Sequence, residues 1–472
     1  MSRPIHGDRH QRFLFPPSVD EWVSEDHPVR FVADLVDALD LEALGFRMSP
    51  ATADGRPHFA PQLLLGIWLY GWMERVRSAR ALEKAVQTQV PFMWVAALQR
   101  PDHVTLWRFF RDNRTALQKL FKKVVRVSAD AGLVGFALHA LDGTKLGGAG
   151  SMAGAQHRKT LEEALGKLDA VVAESVAAME AEEANPPPDW KAPKELEDAK
   201  ARRNKIAEAL ERLDAEETDH LHSKEPQARA VKTRDGVRLG YNAQAVVDEK
   251  SDLIVAVAVV NDAVDNRQLV PMVEQVAETL GKTAQQTVAD TGYASGEQLA
   301  EAEKRHLPVL VKTHDEKSQK GEYAKSNFRY DRERDLYVCP QGEELPFVAI
   351  HKKTTGKPER RIYRCGNMEC PVRDACTDSK SGREIKRIKG EDATVRQAEL
   401  LADPKNKALY AKRKQIVEHV FGIVKWVDGF RRFTAWGPLG AAAQWSLVCL
   451  AINLRKLLPA VRDGRLSGAA FA

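Results

Sequence analysis

Cysteine is scarce in this chain: five residues in 472, four of them crowded between 339 and 376. A set that small and odd in number, with four of its five members in one stretch, does not make an extracellular disulfide framework. Long apolar runs are missing as well. The stretch Trp445 to Leu458 is the most apolar, but it falls short of the roughly 18–20 residues a membrane span needs and contains Asn453, Arg455 and Lys456. The opening MSRPIHGDRHQRFLFPP lacks the apolar segment of a secretory signal. The expectation is a cytoplasmic protein that makes no use of a membrane. A decisive net charge is also absent: 71 basic against 66 acidic residues leave +5, too little to name a partner.

What is there begins with size. At 472 residues, 43% hydrophobic and 29% charged, the chain can bury a sizeable core under a soluble surface. Two or three domains, or one domain with large insertions, is the expectation. Charge is distributed in blocks. Residues 100–126 carry eight Lys/Arg against two acidic residues, 352–364 carry six against Glu359, and 380–432 carry fourteen against seven, whereas 158–217 carries ten basic and sixteen acidic. Basic blocks beside one acidic block suit a polyanion-binding protein with a solvated insertion, although solvated helix faces give such runs too.

Residues 1–130 read as helical. The run from Pro61 to Met73 is apolar on every side of a helix, which implies burial. Ser78 precedes a helix-forming run as an N-cap, and Pro101 to Asn113 reads as a turn into a basic, aromatic helix. A DNA-contacting helix-turn-helix and a plain helical bundle are both open here. From 134 the pattern turns to strands. Val134 to Leu141 runs into Asp142-Gly143-Thr144, read as a strand ended by a turn. Tyr241 to Val247 and Leu253 to Val260 read as two strands joined by a short turn. Helix (268–280), strand (286–290), helix (296–306) and strand (308–312) follow, and 405–426 and 440–458 read as helices. Strands in series that then alternate with helices imply a mixed α/β sheet over 131–460, with 461–472 as a tail.

Two insertions interrupt that sheet. Over 155–218, Leu161, Leu165, Leu168, Val172, Val176 and Met179 recur at helical spacing, Asn185-Pro-Pro-Pro-Asp189 breaks it, and Leu196, Ala199, Ile206, Leu210 and Leu213 resume it. This is a helical hairpin, with a role in dimerisation or DNA grip as the sharper alternative. Residues 315–400 are basic and hold Cys339, Cys365, Cys370 and Cys376. Four thiolates suit a tetrahedral structural Zn²⁺, which would order a segment with little core of its own. Reduced cysteines without metal are the alternative.

Asp142 and Asp290 each end an apolar run and are followed by a glycine turn, Gly143-Thr144 and Thr291-Gly292-Tyr293. Glu418 lies on the helix that contains Tyr410 and Lys425. Phosphodiester chemistry needs hard oxygen ligands that keep Mg²⁺ open to water and substrate, and carboxylates are such ligands. Asp-Gly turns are common, however, and the chain has others at Asp54 and Asp235. Trp426, Phe430, Phe433 and Trp436, beside Arg431 and Arg432, suit either base stacking or the packing of a C-terminal helix.

The series Leu141-Asp-Gly-Thr-Lys-Leu, Lys232-Thr-Arg-Asp-Gly-Val-Arg-Leu-Gly-Tyr-Asn-Ala-Gln-Ala-Val-Val-Asp, Asn261-Asp, Ala289-Asp-Thr-Gly-Tyr, Val417-Glu-His-Val-Phe-Gly-Ile-Val-Lys and Asn453-Leu-Arg-Lys resembles DDE transposases of the insertion-sequence 1182 type. His27-Pro-Val-Arg, Pro101-Asp-His-Val-Thr and the Cys-Pro segments match the same group. The resemblance implies an RNase H-like catalytic fold with Asp142, Asp290 and Glu418 as a Mg²⁺-binding triad, Mn²⁺ being able to substitute. It implies hydrolysis at transposon ends, attack of the freed 3′-hydroxyl on target DNA, double-stranded DNA as partner, a homodimer on that DNA, and a place at the prokaryotic nucleoid. A tyrosine, arginine, glutamate and lysine signature falls on Tyr410, Glu418 and Lys425. Its arginine falls on Arg413, one residue out of register, or is replaced by Lys414. The competing classes are a catalytically inactive, repurposed DNA-binding protein and a metal-dependent nuclease that does not join strands.

Overall fold

In this computed structural model residues 18–47, 58–182, 194–216, 218–222, 224–234, 236–314, 321–352 and 359–472 are described. They divide into two units, one formed by 1–134 with 442–472 and one by 135–441. The first unit is helical, and its caps are those the local chemistry favours. Helix α1 (Pro28–Ala38) starts with proline in its first turn, and the His27 ring nitrogen accepts the Val29 N–H at 3.2 Å. Helix α2 (Pro61–Met73) is buried along nearly its whole length, from Leu64 to Met73. Ser78 caps α3 (Ala79–Thr88) by accepting the Ala81 N–H at 3.1 Å. After α4 (Val90–Val95), Asp102 caps α5 (His103–Asp112) with a 2.7 Å bond from Thr105 N–H. Helix α5 buries Leu106, Phe109 and Phe110 and leaves Val104, Trp107, Arg108 and Arg111 exposed. Helix α6 (Arg114–Asp130) follows.

The second unit is built on a sheet. Its strand β1 (Leu138–Gly147) is followed by the short β2 (Ala155–His157), helices α7 (Arg158–Glu182) and α8 (Lys194–Ala215), and β3 (His220–His222). Strands β4 (Arg229–Thr233), β5 (Gly236–Asp248) and β6 (Ile254–Val260) come next, then α9 (Leu269–Leu280), β7 (Gln286–Ala289), α10 (Gly296–Lys304) and β8 (Val309–Val311). Six of these strands form one sheet in the order β4-β5-β1-β7-β8, with β6 also paired to β5. The β1–β5 and β5–β6 pairs are antiparallel, whereas β1–β7 and β7–β8 are parallel. Parallel neighbours need a crossover, and α10 supplies the one between β7 and β8. The central strands are buried on both faces, and β5 carries Asn242, Gln244 and Asp248 as buried polar residues among apolar ones.

One local expectation is corrected. Strand β1 does not stop at Asp142: Gly143, Thr144 and Lys145 continue the ladder opposite Gln244, Ala243 and Asn242 of β5. Cross-strand pairing overrides the turn preference of Asp-Gly, because β5 presents unpaired backbone groups along that whole length. Past the strand, Glu225 is fully buried and accepts hydrogen bonds from Gly150 N–H at 2.7 Å and Tyr241 O–H at 3.1 Å, pinning the exit of β1.

The first insertion is an antiparallel pair. Strands β2 and β3 zip its base, and Leu161, Leu213 and Leu221 make a small core with Ile206, Ala209 and Leu210 around it. Asn185 to Asp189 lies outside the described residues. The cysteine segment departs further from expectation. Strands β9 (Arg329–Asp331), β10 (Leu336–Val338), β11 (Glu344–His351), β12 (Arg360–Arg364) and β13 (Glu384–Ile388) form a second, five-stranded sheet. It has a core of its own: Tyr323, Phe328, Tyr337, Leu345, Tyr363 and Ile385. These apolar residues are spread thinly among charges, so no periodic run announces them.

After the short α11 (Arg373–Cys376), helices α12 (Glu391–Ala402), α13 (Pro404–Ala411) and α14 (Arg413–Gly422) lead to a π-helical turn (Ile423–Val427), where Asp428 N–H bonds Ile423 C=O. Helix α15 (Gly437–Arg462) is longer than the sequence suggests and meets the length and composition of a membrane span, yet 78% of its apolar window is buried within the protein. Burial of that kind is the mark of a core helix.

Candidate active site

The pairing of β1 with β7 decides where the carboxylates go. Leu141 lies opposite Ala289 on adjacent parallel strands, so Asp142 and Asp290 follow side by side. Each is oriented by a nearby backbone N–H. Asp142 Oδ1 accepts from Gly143 N–H at 2.7 Å, and Asp290 Oδ1 accepts from Gly292 N–H at 2.8 Å. Asp142 is largely buried, with its side chain 21% exposed, and its Oδ2 takes the Arg413 guanidinium at 3.0 Å. Burial pushes the Asp142 carboxyl up to about 6; the Gly143 N–H and Arg413 oppose the shift, while the charges of Asp290 and Asp265 add to it. A carboxylate destabilised in this way binds a cation readily, because the cation relieves both burial and repulsion.

Helix α14 reaches this place with one face. Arg413, Ile416, Val417 and Val420 are buried, and Val424 continues the stripe into the π turn. Burial opposes the Arg413 charge, but Asp142, Tyr410 and Asp290 outweigh it and hold its pKa above the ordinary value. Between the two candidate cations of the signature, Arg413 is therefore the one aimed at Asp142, whereas Lys414 is exposed. Lys425 sits in the π turn. Burial pulls its ammonium pKa down and Arg431 adds to that, with Asp142 opposing. Glu418 is exposed on α14 and stands apart from the buried stripe. Among the described residues no group of three or more His, Cys, Asp or Glu side chains converges to hold a metal. Asp142 and Asp290 nevertheless fit a divalent cation by the chemistry of their donor set, two hard carboxylates, one in β1 and one directly after its neighbour β7. His139 is fully buried 3.5 Å from Asp248, a packing residue, and His419 is exposed.

Asp265 was not anticipated. It lies in the loop between β6 and α9 and reaches back to the sheet. Its Oδ1 accepts from Asn242 Nδ2 at 2.6 Å and Gln244 Nε2 at 2.7 Å, and Lys145 Nζ lies 3.1 and 3.2 Å from its two oxygens. A signal existed in the polar stretch Asn261-Asp262-Ala-Val-Asp265-Asn266, which follows an apolar strand directly. Nothing in that stretch singles out Asp265 over Asp262.

The cysteines flank the second sheet: Cys339 and Cys365 directly follow β10 and β12, Cys370 lies in a loop and Cys376 ends α11. Cys339, Cys365 and Cys376 pack against the aromatic core of that sheet, and Glu343 N–H donates to Cys339 Sγ at 3.3 Å. Burial pushes the Cys376 thiol up, Arg383 opposes, and the nearness of Cys339, Cys365 and Cys370 adds to the rise. All four are free of disulfides.

Residues 338–458 match the family model of a Transposase DDE domain, and residues 17–112 match that of a Transposase domain (DUF772). The two matches indicate a DDE transposase. DDE transposase domains imply DNA cleavage and transposition chemistry and generally use divalent cations. The DDE match takes in the four cysteines that flank the second sheet, Arg413, Glu418 and Lys425; Asp142 and Asp290 lie upstream of it. No curated protein matches the chain. Among solved structures, a piggyBac transposase synaptic complex with hairpin DNA aligns at 9% identity and a TM-score of 0.33, over 94% of this chain and 76% of that one. That likeness is too slight to carry a conclusion.

Proposed function

We propose that this chain is a transposase of the insertion-sequence 1182 type, which binds the ends of its element, cleaves them by metal-dependent hydrolysis and joins the 3′-hydroxyl ends to target DNA. The observation that supports the reading is the register of β1 with β7: Leu141 pairs with Ala289, and Asp142 and Asp290 are the residues that follow each. The order β6-β5-β1-β7-β8, antiparallel among its first three strands and parallel among its last three, supports an RNase H-like catalytic core. The exposed face of α5, with Trp107, Arg108 and Arg111, supports DNA binding by residues 1–130. Cutting two ends calls for at least a homodimer on the DNA, at the prokaryotic nucleoid.

When bound, Mg²⁺ or Mn²⁺ supplies activation of the attacking oxygen and neutralisation of charge on the leaving one. The chain's own residues prepare for this. Backbone N–H groups fix the rotamers of Asp142 and Asp290, so neither carboxylate must be ordered when substrate arrives. Arg413 and Lys425 bring positive charge beside Asp142, where a phosphate would need it. Glu418 is proposed as the third acid. Its support is its place on α14, which packs against β1; its exposed side chain would then be drawn in when cation and DNA are bound. Zn²⁺ on Cys339, Cys365, Cys370 and Cys376 is proposed as the structural metal, supported by four soft thiol donors and the N–H bond to Cys339 Sγ.

The test uses a supercoiled plasmid bearing the element's ends, a second plasmid as target, and Mg²⁺ or Mn²⁺. The native chain should nick and join; Asp142→Ala, Asp290→Ala and Glu418→Ala should bind DNA and fall to background cutting. A native chain that binds but never cuts sinks the enzyme reading and leaves a DNA-binding protein. Cutting without joining leaves a nuclease. Full activity in Glu418→Ala removes Glu418 alone.

A further inference from the structure

We propose that Asp265 is a positioning residue of this active site: it fixes the Asp142 segment of β1 against the Asp290 turn and supplies negative charge that draws a divalent cation to the pair. The inference rests on the reading of Asp142 and Asp290 given above. Its first support is a contact that only glycine permits. A Cβ on Gly143 would lie 2.6 Å from Asp265 Oδ1, 2.4 Å from Gln244 Nε2 and 2.9 Å from Asn242 Oδ1. The Asp265 carboxylate therefore rests on the backbone of the residue next to Asp142. Its other oxygen faces the second aspartate's turn, since a Cβ on Gly292 would lie 3.5 Å from Asp265 Oδ2 and 3.0 Å from Asp290 Oδ1. Asp265 thus spans from the Asp142 segment to the Asp290 turn. Tyr293, fully buried in that turn, closes the link by donating its hydroxyl to Gln244, which in turn donates to Asp265.

A second observation lies in a side chain that holds Asp265. Asn242 is fully buried; its Nδ2 donates to Asp265, but its Oδ1 has no hydrogen-bond partner among the described residues and faces the bare flank of Gly143. A buried acceptor left without a donor costs free energy, and a hydrated cation beside Asp265 would satisfy it. Lys145 balances the Asp265 charge and keeps the cluster folded while no cation is bound.

Mn²⁺ binding to the DNA-free chain, followed by electron paramagnetic resonance, tests this without relying on turnover. Asp265→Asn keeps the shape and an acceptor oxygen for Asn242 and Gln244 but leaves Lys145 without its counter-charge, so it should fold cooperatively with a somewhat lower unfolding midpoint. Its Mn²⁺ affinity should fall by about 10- to 100-fold, the usual cost of a lost outer-shell partner. In the cleavage assay kcat should fall with KM for DNA unchanged. Lys145→Gln leaves Asp265 without its counter-charge and should bind Mn²⁺ more tightly than the native chain, which keeps the test alive if Asp265→Asn does not fold. Native affinity in Asp265→Asn, or no gain in Lys145→Gln, overturns the role of Asp265 while leaving the DDE reading intact. Equal Mn²⁺ binding by the native chain and Asp142→Ala overturns the reading of the site itself.

Discussion

Replacing Asp142 with asparagine should stabilise the metal-free protein while abolishing cleavage. Burial first, and then Asp290 and Asp265, raise the Asp142 carboxyl from 3.8 to about 6 against the opposing pull of the Gly143 N–H and Arg413. A folded-state value above the unfolded one means that the folded chain holds the proton more tightly. The contribution is therefore fully present below about pH 4 and lost as pH rises through about 6. Above that, keeping the carboxylate ionised costs on the order of 3 kcal/mol, at about 1.4 kcal/mol per tenfold change in proton affinity. Asparagine cannot ionise and does not carry the cost. The side chain is only 21% exposed, so solvent screens little of it. Urea unfolding in chelator should give coincident stabilities for Asp142→Asn and the native chain near pH 4. The variant should gain up to about 3 kcal/mol by pH 7, a figure in which the opposing pull of Arg413 is already included. Saturating Mg²⁺ should stabilise the native chain alone, by mass action. A native chain that is the more stable of the two at pH 7 without metal would refute the reasoning, since it would mean that Arg413 overcompensates the burial of Asp142.

Two further outcomes follow from the geometry. Gly143→Ala, at a strand position where alanine normally gains roughly 0.5–1 kcal/mol over glycine, should instead destabilise by about 1–3 kcal/mol. The new methyl meets Asp265, Gln244 and Asn242, which hold one another in a buried network and cannot swing aside; a raised unfolding midpoint would contradict this. Elemental analysis of chain purified without chelator should find about one Zn²⁺ per chain, the stoichiometry of a four-thiolate site, and Cys376→Ser should lose it. Full zinc in the variant, or none in the native chain, rules that site out.

Much of this architecture is local in origin and therefore legible in the sequence. Helix α2 reads as buried because its apolar residues leave no polar face, and Ser78 and Asp102 mark helix starts through side-chain chemistry that acts within three residues. Strands β6 and β8 are apolar runs, β7 and the Tyr241 to Val247 part of β5 are rich enough in apolar residues to be read as strands, and the hairpin of α7 and α8 carries its spacing openly. The second sheet was hidden, because its core rests on isolated aromatics in short strands whose partners are distant in sequence.

The sequence by itself determined that Asp142 and Asp290 each follow an apolar run and have a glycine within two residues, and that basic and acidic blocks are kept apart. Only the tertiary structure decided what those glycines do. Gly143 is no turn but a gap in a continuous strand, held open for a carboxylate 122 residues away, at Asp265. It also decided that Arg413 rather than Lys414 meets Asp142, and that Glu418 faces solvent on the same helix. Both outcomes depend on how α14 is rotated against the sheet, and that rotation is set by the burial of Ile416, Val417, Val420 and Val424. A motif records the order of residues along a helix. Which of them faces a partner is fixed by packing, where the apolar stripe outweighs the preference of any single charge.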